Sequence, residues 1–345
     1  MTVTVLLPQG SYSVHIRRGI LRDTGDLLRP LGIRRWAVAA DETVAALYGA
    51  AVLDSLRRAG LSAEVLTFPA GERHKTPETW LSLCRDLARR GFTRADGLLA
   101  LGGGVTGDLA GFAAAAYQRG MPLVQVPTTL LSQVDSAVGG KTAVDLPEGK
   151  NLLGAFYQPR LVIVDPDCLT TLPPRQMRSG AAEVIKYGLI RDAAILDDME
   201  AETPDWETVI ARCLTIKAAL VAADEHDTGV RRLLNFGHTI GHAIEAAGGY
   251  EACTHGEAVA AGMAAILRWQ LHRGDDVQAA YDRLLALLER WGLPAGLPCD
   301  SDAVRRYLAR DKKREGDTVH AVLLREIGDA YVEDVPLSEL WEATP

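Results

Sequence analysis

Short apolar runs alternate with helical patterns through the first half of this 345-residue chain, and this alternation constrains the fold more than any other feature. We predict strands at 36–40, 63–68, 98–101, 122–126 and 161–164, and a further strand at the N-terminus. The intervening segments carry apolar residues at helical spacing, at 43–59, 76–91 and 105–116. Strand–helix–strand units of this kind form parallel sheets. The first half is therefore predicted to be a Rossmann-like α/β domain.

The second half changes to long segments with an apolar period of 3.6 residues, which is typical of helices. We predict helices at 175–200, 205–223, 231–247, 256–273, 276–292 and 302–310, and one β pair at 318–324 and 328–333. Pro173 and Pro174 interrupt any continuing element. The predicted organisation is an α/β domain at 1–173 followed by a mainly helical domain at 174–345.

Net charge and cysteine usage narrow the class of protein. A net charge of -8 argues against a nucleic-acid partner, because phosphate backbones require a basic face. The sequence has no run of about 18 apolar residues, so we expect no membrane span. The N-terminus lacks the features of a signal peptide. The five cysteines are scattered and form no CxxC pair, which is typical of reduced thiols. We therefore expect a cytoplasmic protein without membrane or nucleic-acid partners.

A glycine-rich turn at 102–108 follows the strand at 98–101 and opens a helical segment. It satisfies the G-x-G-x-x-G pattern, in which glycines let backbone amides approach a pyrophosphate at a helix N-terminus. This context predicts dinucleotide binding. No acidic residue ends a strand about 20 positions later, where a Rossmann domain usually holds the ribose. We expect that role to fall to Asp41 or to residues 71–75, which follow upstream strands.

A second polar segment, 126–141, also follows a strand, and Gly149, Lys150 and Asn151 come shortly after it. Lysines, an amide and glycines together are suited to binding phosphate. Solvated lysines in a loop are the simpler alternative. The apolar residues 152–156 predict that Asn151 lies next to the core and away from bulk solvent.

Three of the eight histidines lie within eighteen positions, at 238, 242 and 255, on segments with apolar flanks. Neutral imidazoles are common ligands of divalent metals, and a glutamate with two histidines leaves positions open for substrate. Glu183 and Lys186 are spaced to share one helix face. They form either a structural ion pair, or a site in which Glu183 binds the metal and Lys186 binds the substrate. Spacing alone allows His238 and His242 to bind one metal, and does not settle which two histidines coordinate it.

Eight motifs in order along the chain resemble the 3-dehydroquinate synthase family of sugar phosphate cyclases. They cover 102–108, 117–120, 124–131, 135–141, 149–151, 182–187, 234–239 and 255–259, and the likeness extends from about residue 35 to residue 335. The resemblance implies a lyase that uses NAD and a divalent metal, zinc or cobalt. Its substrate would be a phosphorylated sugar acid, 3-deoxy-D-arabino-heptulosonate 7-phosphate, which it would convert into 3-dehydroquinate and phosphate.

The resemblance also implies site residues by position in the motifs. The metal ligands would be Glu183, His238 and His255, with His242 outside the coordination sphere. The NAD-binding residues would be Asp41, Gly71, Glu72, Arg73, His74, Lys75, Gly103, Gly104, Val105, Thr106, Gly107, Asp108, Thr128, Thr129, Lys141, Lys150, Cys168, Leu169, Thr170 and Thr171. The substrate would contact Arg119, Asp135, Lys141, Asn151, Lys186, Lys217, Arg231, Asn235, His242, Lys312 and Lys313. Catalytic roles would fall to Lys141, Lys186, Asn235, His242 and Lys312.

Arg119 matches an arginine that in this family reaches the phosphate bound to the neighbouring subunit, which implies a homodimer. The chief departures from the family pattern are Ala70, where an acid is frequent, and Thr43, where asparagine also occurs. Three alternatives remain: an aminodehydroquinate synthase or another secondary-metabolic cyclase, a metal-dependent polyol dehydrogenase of the same two-domain plan, and a catalytically silent domain. Only the dehydrogenase would accumulate NADH on a diol.

Overall fold

A computed structural model describes residues 1–248, 253–296, 300–311 and 318–340. They form two compact units, one of Met1–Leu172 with Trp206–His226, and one of Pro173–Asp205 with Asp227–Pro345. The units differ from the predicted domains at one segment: residues 206–226 pack with the first unit, because their helix lies on its first strands.

The elements are numbered here in chain order. The strands are β1 Thr2–Leu7, β2 Gly10–Ile16, β3 Arg35–Asp41, β4 Ser62–Phe68, β5 Gly97–Gly102, β6 Leu123–Pro127, β7 Lys141–Leu146, β8 Gly149–Phe156, β9 Leu161–Val164, β10 Thr318–Glu326 and β11 Asp329–Pro336. The α-helices are α1 Thr24–Leu28, α2 Glu42–Val44, α3 Ala50–Arg58, α4 Pro77–Arg89, α5 Gly104–Ala116, α6 Pro174–Ile190, α7 Ala194–Glu200, α8 Trp206–Ala223, α9 His238–Ala247, α10 His255–Arg273, α11 Gln278–Trp291, α12 Ser301–Asp311 and α13 Leu337–Leu340.

The first unit is built on a seven-stranded sheet in the order β1-β2-β9-β6-β5-β3-β4. All neighbouring strands are parallel except β1 and β2, which confirms the predicted parallel sheet. The residues of β3 alternate between two cores, since Ala37 and Ala39 pack with α4 and α5 on one face. Trp36, Val38 and Ala40 pack with α1 and α3 on the other face. Helices therefore cover both faces, which explains why the central strands are apolar throughout.

The strand order places a ligand-binding position at the carboxyl ends of β3 and β5. The chain passes from β3 to β4 on one side, then returns to β5 on the other side of β3. Ligands of open parallel sheets bind where the order reverses in this way. Asp41 ends β3 and Gly102 ends β5, so both lie at this switch point.

Residues 141–156 form an antiparallel hairpin, β7–β8, where the sequence predicts polar loops. Asn151 has a left-handed backbone (φ 57°) and an exposed side chain. Leu152, Leu153 and Phe156 are exposed as well. The prediction that Asn151 lies against the core is therefore wrong, because its apolar neighbours belong to a strand that faces outward.

The second unit is mainly helical, as predicted. Helix α10 packs against α6 and α9 by backbone contact: a Cβ at Gly256 would clash with the Ser179 carbonyl, and one at Gly262 with the Gly237 carbonyl. Gly256 N also donates to Ser179 Oγ at 3.0 Å. In the described part of the chain, every helix is too short or too polar to cross a lipid bilayer. The close packing fixes the first residue of α10, His255, beside α6 and α9.

Candidate active site

Glu183, His238 and His255 lie together in the second unit. Glu183 is in the middle of α6, and the two histidines are the first residues of α9 and α10. Glu183 Oε1 is 3.3 Å from His255 Nε2 and 3.6 Å from His238 Nε2. One ligand atom from each residue lies within 4.8 Å of the other two. Zn–N and Zn–O bonds of ~2.0–2.1 Å place tetrahedral ligands about 3.3 Å apart, so the set fits a small divalent metal.

Each of these histidines has its second ring nitrogen near an oxygen atom. His238 Nδ1 lies 3.1 Å from the Phe236 carbonyl, and His255 Nδ1 lies 3.4 Å from Glu245 Oε2. A proton on Nδ1 leaves the Nε2 lone pair of both rings on the side of Glu183. Metal-binding histidines generally show this pattern.

The electrostatics of the two imidazoles differ. Burial, with the nearby positive charge of Lys186, lowers the pKa of His238 to about 3, so its ring is neutral and able to coordinate a metal. Burial also lowers the pKa of His255, but hydrogen bonds with Glu183 and Glu245 outweigh it and raise the pKa to about 10. The two carboxylates thus attract positive charge to this position.

His242 is exposed, and its ring centroid is 5.4 Å from that of His238 and 6.2 Å from that of His255. Among the described residues, a second group of possible metal ligands consists of His242, Glu245 and His255. Neither of the two groups contains both His238 and His242. The structure therefore does not form the pair that i, i+4 spacing alone allows.

Lys186 is buried beside Glu183 and forms an ion pair with Glu183 Oε2. Its ammonium also lies 5.2 Å from the centroid of the Tyr187 ring. Since the pair uses Oε2, Glu183 Oε1 faces the two histidines. The ion pair and the metal-ligand interpretations of Glu183 are therefore compatible.

In the first unit, the glycine turn lies against the loop after β6. Thr128 N donates to the Gly102 carbonyl at 3.0 Å, and a Cβ at Gly103 would come within 2.9 Å of Thr129 Cγ2. At the adjacent end of β3, Asp41 Oδ1 accepts from the amides of Thr43 and Val44 at 3.0 Å. Helix α5 begins at the turn, so backbone amides there are suited to an anionic ligand.

Lys75 links three segments predicted to bind cofactor or substrate. Its Nζ lies 2.5 Å from Asp108 Oδ2 and 2.6 Å from Asn151 Oδ1, and the residue is only 4% exposed. Burial lowers the pKa of Lys75, but the Asp108 and Glu72 carboxylates reverse this and raise it overall. Lys150 lies 3.6 Å from Glu72 and extends the network. The turn residues 72–75 are therefore held against both α5 and the β7–β8 hairpin.

Asp135 and Lys217 also meet in this unit. Lys217 Nζ is 2.9 Å from Asp135 Oδ1 and donates to the Asp135 carbonyl at 2.5 Å. The helical turn Pro166–Thr171 carries Cys168, Leu169, Thr170 and Thr171, and Tyr48 donates to the Cys168 carbonyl at 3.2 Å. Tyr48, which belongs to none of the sequence motifs, thus contacts this turn.

The other predicted site residues differ in exposure. Lys141 and Arg119 are exposed, and Arg119 has a left-handed backbone (φ 66°) beside Gln118 (φ 49°). In the second unit, Arg231 is buried and Asn235 is half-buried on the turn Val230–Asn235. Lys312 and Lys313 lie outside the described residues. Glu245 was missed by sequence reasoning, although its i+7 spacing from His238 on one helix could have indicated it.

Comparisons with known proteins cover the whole chain. Family models for "3-dehydroquinate synthase N-terminal" and "3-dehydroquinate synthase C-terminal" match residues 65–179 and 180–314. A 3-dehydroquinate synthase of Pelobacter propionicus is 44% identical over 98% of this chain and 97% of its own length.

Two solved cyclases have similar folds. 2-Deoxy-scyllo-inosose synthase complexed with carbaglucose-6-phosphate, NAD+ and Co2+ is 28% identical, with a TM-score of 0.90 over 100% of this chain and 99% of that one. ValA, the 2-epi-5-epi-valiolone synthase of Streptomyces hygroscopicus with NAD+ and Zn2+ bound, is 31% identical. Its TM-score is 0.88, over 98% of this chain and 97% of that one.

The likeness to alcohol and glycerol dehydrogenases is one of fold alone. Such structures are 16–18% identical to this chain, with TM-scores of 0.64–0.65. The family models and the full-length relatives instead agree on one family, and their matches include the segments that carry Glu183, His238 and His255. The chain belongs to the 3-dehydroquinate synthase family.

Proposed function

We propose that this chain is a carbon–oxygen lyase that converts 3-deoxy-D-arabino-heptulosonate 7-phosphate into 3-dehydroquinate and phosphate, a step of the shikimate pathway towards chorismate and the aromatic amino acids. The observation that carries the proposal is the grouping of Glu183, His238 and His255 in a chain that matches 3-dehydroquinate synthases over almost its full length. A carboxylate with two imidazoles leaves coordination positions for substrate hydroxyls, as catalytic metal sites require.

The cofactors are NAD and a divalent metal, zinc or cobalt. When bound, NAD would accept a hydride from C5 of the substrate and later return it, and the metal would polarise the hydroxyls on C4 and C5. The transient C5 ketone makes the hydrogen on C6 acidic, so that phosphate leaves by elimination with its own oxygen as base. Ring opening and an intramolecular aldol reaction then close the carbocycle.

The chain's own residues bind and orient the substrate. Phosphate would be held by Lys141, Asn151, Arg231 and Arg119, which supply cations and an amide. Lys186 and Lys217 suit the carboxylate and neighbouring hydroxyls, and Asp135 is a further substrate-binding residue. Asn235, His242 and a lysine at 312 or 313 would relay protons during ring opening and closure. In the first unit, the dinucleotide pyrophosphate would lie at the N-terminus of α5, at the glycine turn.

We further propose a homodimer in the cytoplasm. The exposed Arg119, in a left-handed backbone, supports a role outside its own subunit, because side chains at such positions are commonly held for function. The four cysteines of the described residues form no disulfide bond with one another, in keeping with a reducing compartment.

The decisive experiment measures phosphate release from the heptulosonate phosphate, with and without a metal chelator. We expect release that depends on metal, is restored by zinc or cobalt, and is accompanied by no net NADH. Steady accumulation of NADH would instead indicate a polyol dehydrogenase. Faster turnover of the corresponding amino sugar phosphate would indicate an aminodehydroquinate synthase.

A further inference from the structure

Glu245 is a buried carboxylate that the proposed chemistry does not use. It is only 2% exposed, on α9, and its Oε2 lies 3.4 Å from His255 Nδ1. A carboxylate is costly to bury unless it has a hydrogen-bonding or charged partner. His255 is such a partner, and its ring lies between two carboxylates, Glu183 at Nε2 and Glu245 at Nδ1.

The two histidines that face Glu183 are oriented by groups of different charge. His238 Nδ1 faces a neutral backbone carbonyl, that of Phe236, whereas His255 Nδ1 faces an anion. A carboxylate that accepts a hydrogen bond from Nδ1–H fixes the tautomer, keeps the Nε2 lone pair free, and makes the imidazole a stronger donor to a metal. A backbone carbonyl fixes the tautomer but adds no full charge.

We propose that Glu245 is a positioning residue for the metal ligand His255. It holds the imidazole with Nε2 towards Glu183 and increases the affinity of His255 for the metal. This inference rests on the proposed function only in taking Glu183, His238 and His255 as the metal ligands, and it does not depend on the identity of the substrate. Its test is therefore a measurement of metal binding without substrate.

The test compares E245Q and E245A with the wild-type chain by competition with a chromogenic chelator for Zn2+. Loss of an outer-sphere carboxylate typically costs about 10–100-fold in metal affinity. We expect weakening in that range for E245A, and a smaller loss for E245Q, because glutamine can still accept a hydrogen bond from Nδ1–H but lacks the charge. The visible absorption bands of the Co2+-loaded protein should shift in both variants, since the donor strength of His255 changes.

Glu257 provides a matched control. It lies two residues after His255, but its carboxylate pairs with Arg175 at 2.8 Å and completes the capping box of α10 with Thr254. Glutamine can also occupy this position of a capping box. E257Q should therefore keep wild-type zinc affinity and an unchanged Co2+ spectrum, although it removes one negative charge near the site.

Two results would overturn the inference. If E245Q and E245A both bind zinc like the wild type, Glu245 does not act on His255. If E245Q loses zinc as completely as H255A, Glu245 is itself a ligand. Thermal unfolding in the presence of chelator checks that the variants are folded. If E245Q does not fold, E245D replaces it. Aspartate keeps the charge but moves it away from Nδ1, so we expect E245D to bind zinc more weakly than the wild type, as predicted for E245Q. Failure of phosphate release in the wild type would leave these binding results intact, so the two proposals fail separately.

Discussion

Glu183 interacts through both of its carboxylate oxygens. Oε2 pairs with Lys186, while Oε1 faces the Nε2 atoms of His238 and His255. The Lys186 charge offsets part of the carboxylate charge, and it also disfavours protonation of His238. The local balance therefore favours a neutral imidazole at His238, the protonation state that a metal ligand requires, whereas at His255 a metal would displace the proton that the two carboxylates favour.

This arrangement predicts different outcomes for neighbouring histidines. E183A, H238A and H255A should each lower zinc affinity by at least about 100-fold and abolish phosphate release, because each removes a ligand atom. H242A should retain the metal and lose rate. Elemental analysis of the purified variants, with a phosphate-release assay, checks both points. Full zinc occupancy in the three ligand variants would refute the assignment.

The site is only partly predictable at the level of single residues. The histidine motif and Glu183 stand out in the sequence because their types and spacing suit metals. The choice between His242 and His255 depends on how α9 meets α10, and that contact is made by Gly237 and Gly262, far apart in the sequence. Asn151 was misplaced because exposed apolar residues in an outward-facing strand look like core residues in the sequence.

A second prediction concerns Lys75, whose buried ammonium pairs with Asp108 at 2.5 Å. K75M leaves the Asp108 carboxylate without this cation, so it should lower the free energy of unfolding by about 3 kcal/mol. Urea denaturation measures this loss in the free energy of unfolding. K150M is the matched control: Lys150 is 3.6 Å from the more exposed Glu72, and such pairs contribute at most about 1 kcal/mol. Equal losses in the two variants would contradict the buried-network interpretation.

At the scale of elements, helix periodicity predicted the helices but not their interruptions. The predicted helix at 175–200 is two helices, α6 and α7, and the predicted helix at 231–247 is a short turn at 230–235 followed by α9. Gly237, with φ 78°, separates the turn from α9. Periodicity continues across such breaks because both pieces carry buried apolar residues, so it does not reveal the break at Gly237 that precedes His238.

A third prediction concerns Gly256, where the backbones of α10 and α6 are in contact. G256A should destabilise the second unit by about 1–3 kcal/mol, because a Cβ there would clash with the Ser179 carbonyl and force α10 away from α6. His255 would move with it, so zinc affinity should fall as well. Gly49 is the control, since a Cβ there would meet nothing closer than Ala45 Cβ at 4.0 Å. Thermal unfolding and chelator competition measure both effects, and wild-type zinc affinity in G256A would contradict the packing argument.

At the scale of the whole molecule, the sheet order explains an anomaly in the sequence. An ordinary Rossmann domain places its ribose-binding acid after the strand that follows the glycine turn. Here that strand, β6, ends at Pro127 without an acid, and β3, which precedes the turn in sequence, is the other neighbour of β5. Asp41 at the end of β3 therefore lies at the sheet edge next to the glycine turn, where we propose that the dinucleotide binds. Local patterns identify strands but do not encode their order, so the sequence alone did not show that the end of β3 lies next to the glycine turn.

The last prediction concerns the proposed homodimer, in which Arg119 would complete the site of the partner subunit. R119A and H238A should each be inactive alone. In a mixed dimer, the site with an intact His238 would receive Arg119 from the H238A subunit, whereas the other site would lack both residues. Random assortment of equal amounts, after co-expression, makes half of the dimers mixed, with one working site each, so about a quarter of the wild-type activity should return. If Arg119 instead serves its own subunit, every site in the mixture lacks one residue, and activity stays at the level of the separate variants. Phosphate release by the co-expressed pair, with R119A and H238A expressed separately as controls, distinguishes the two arrangements.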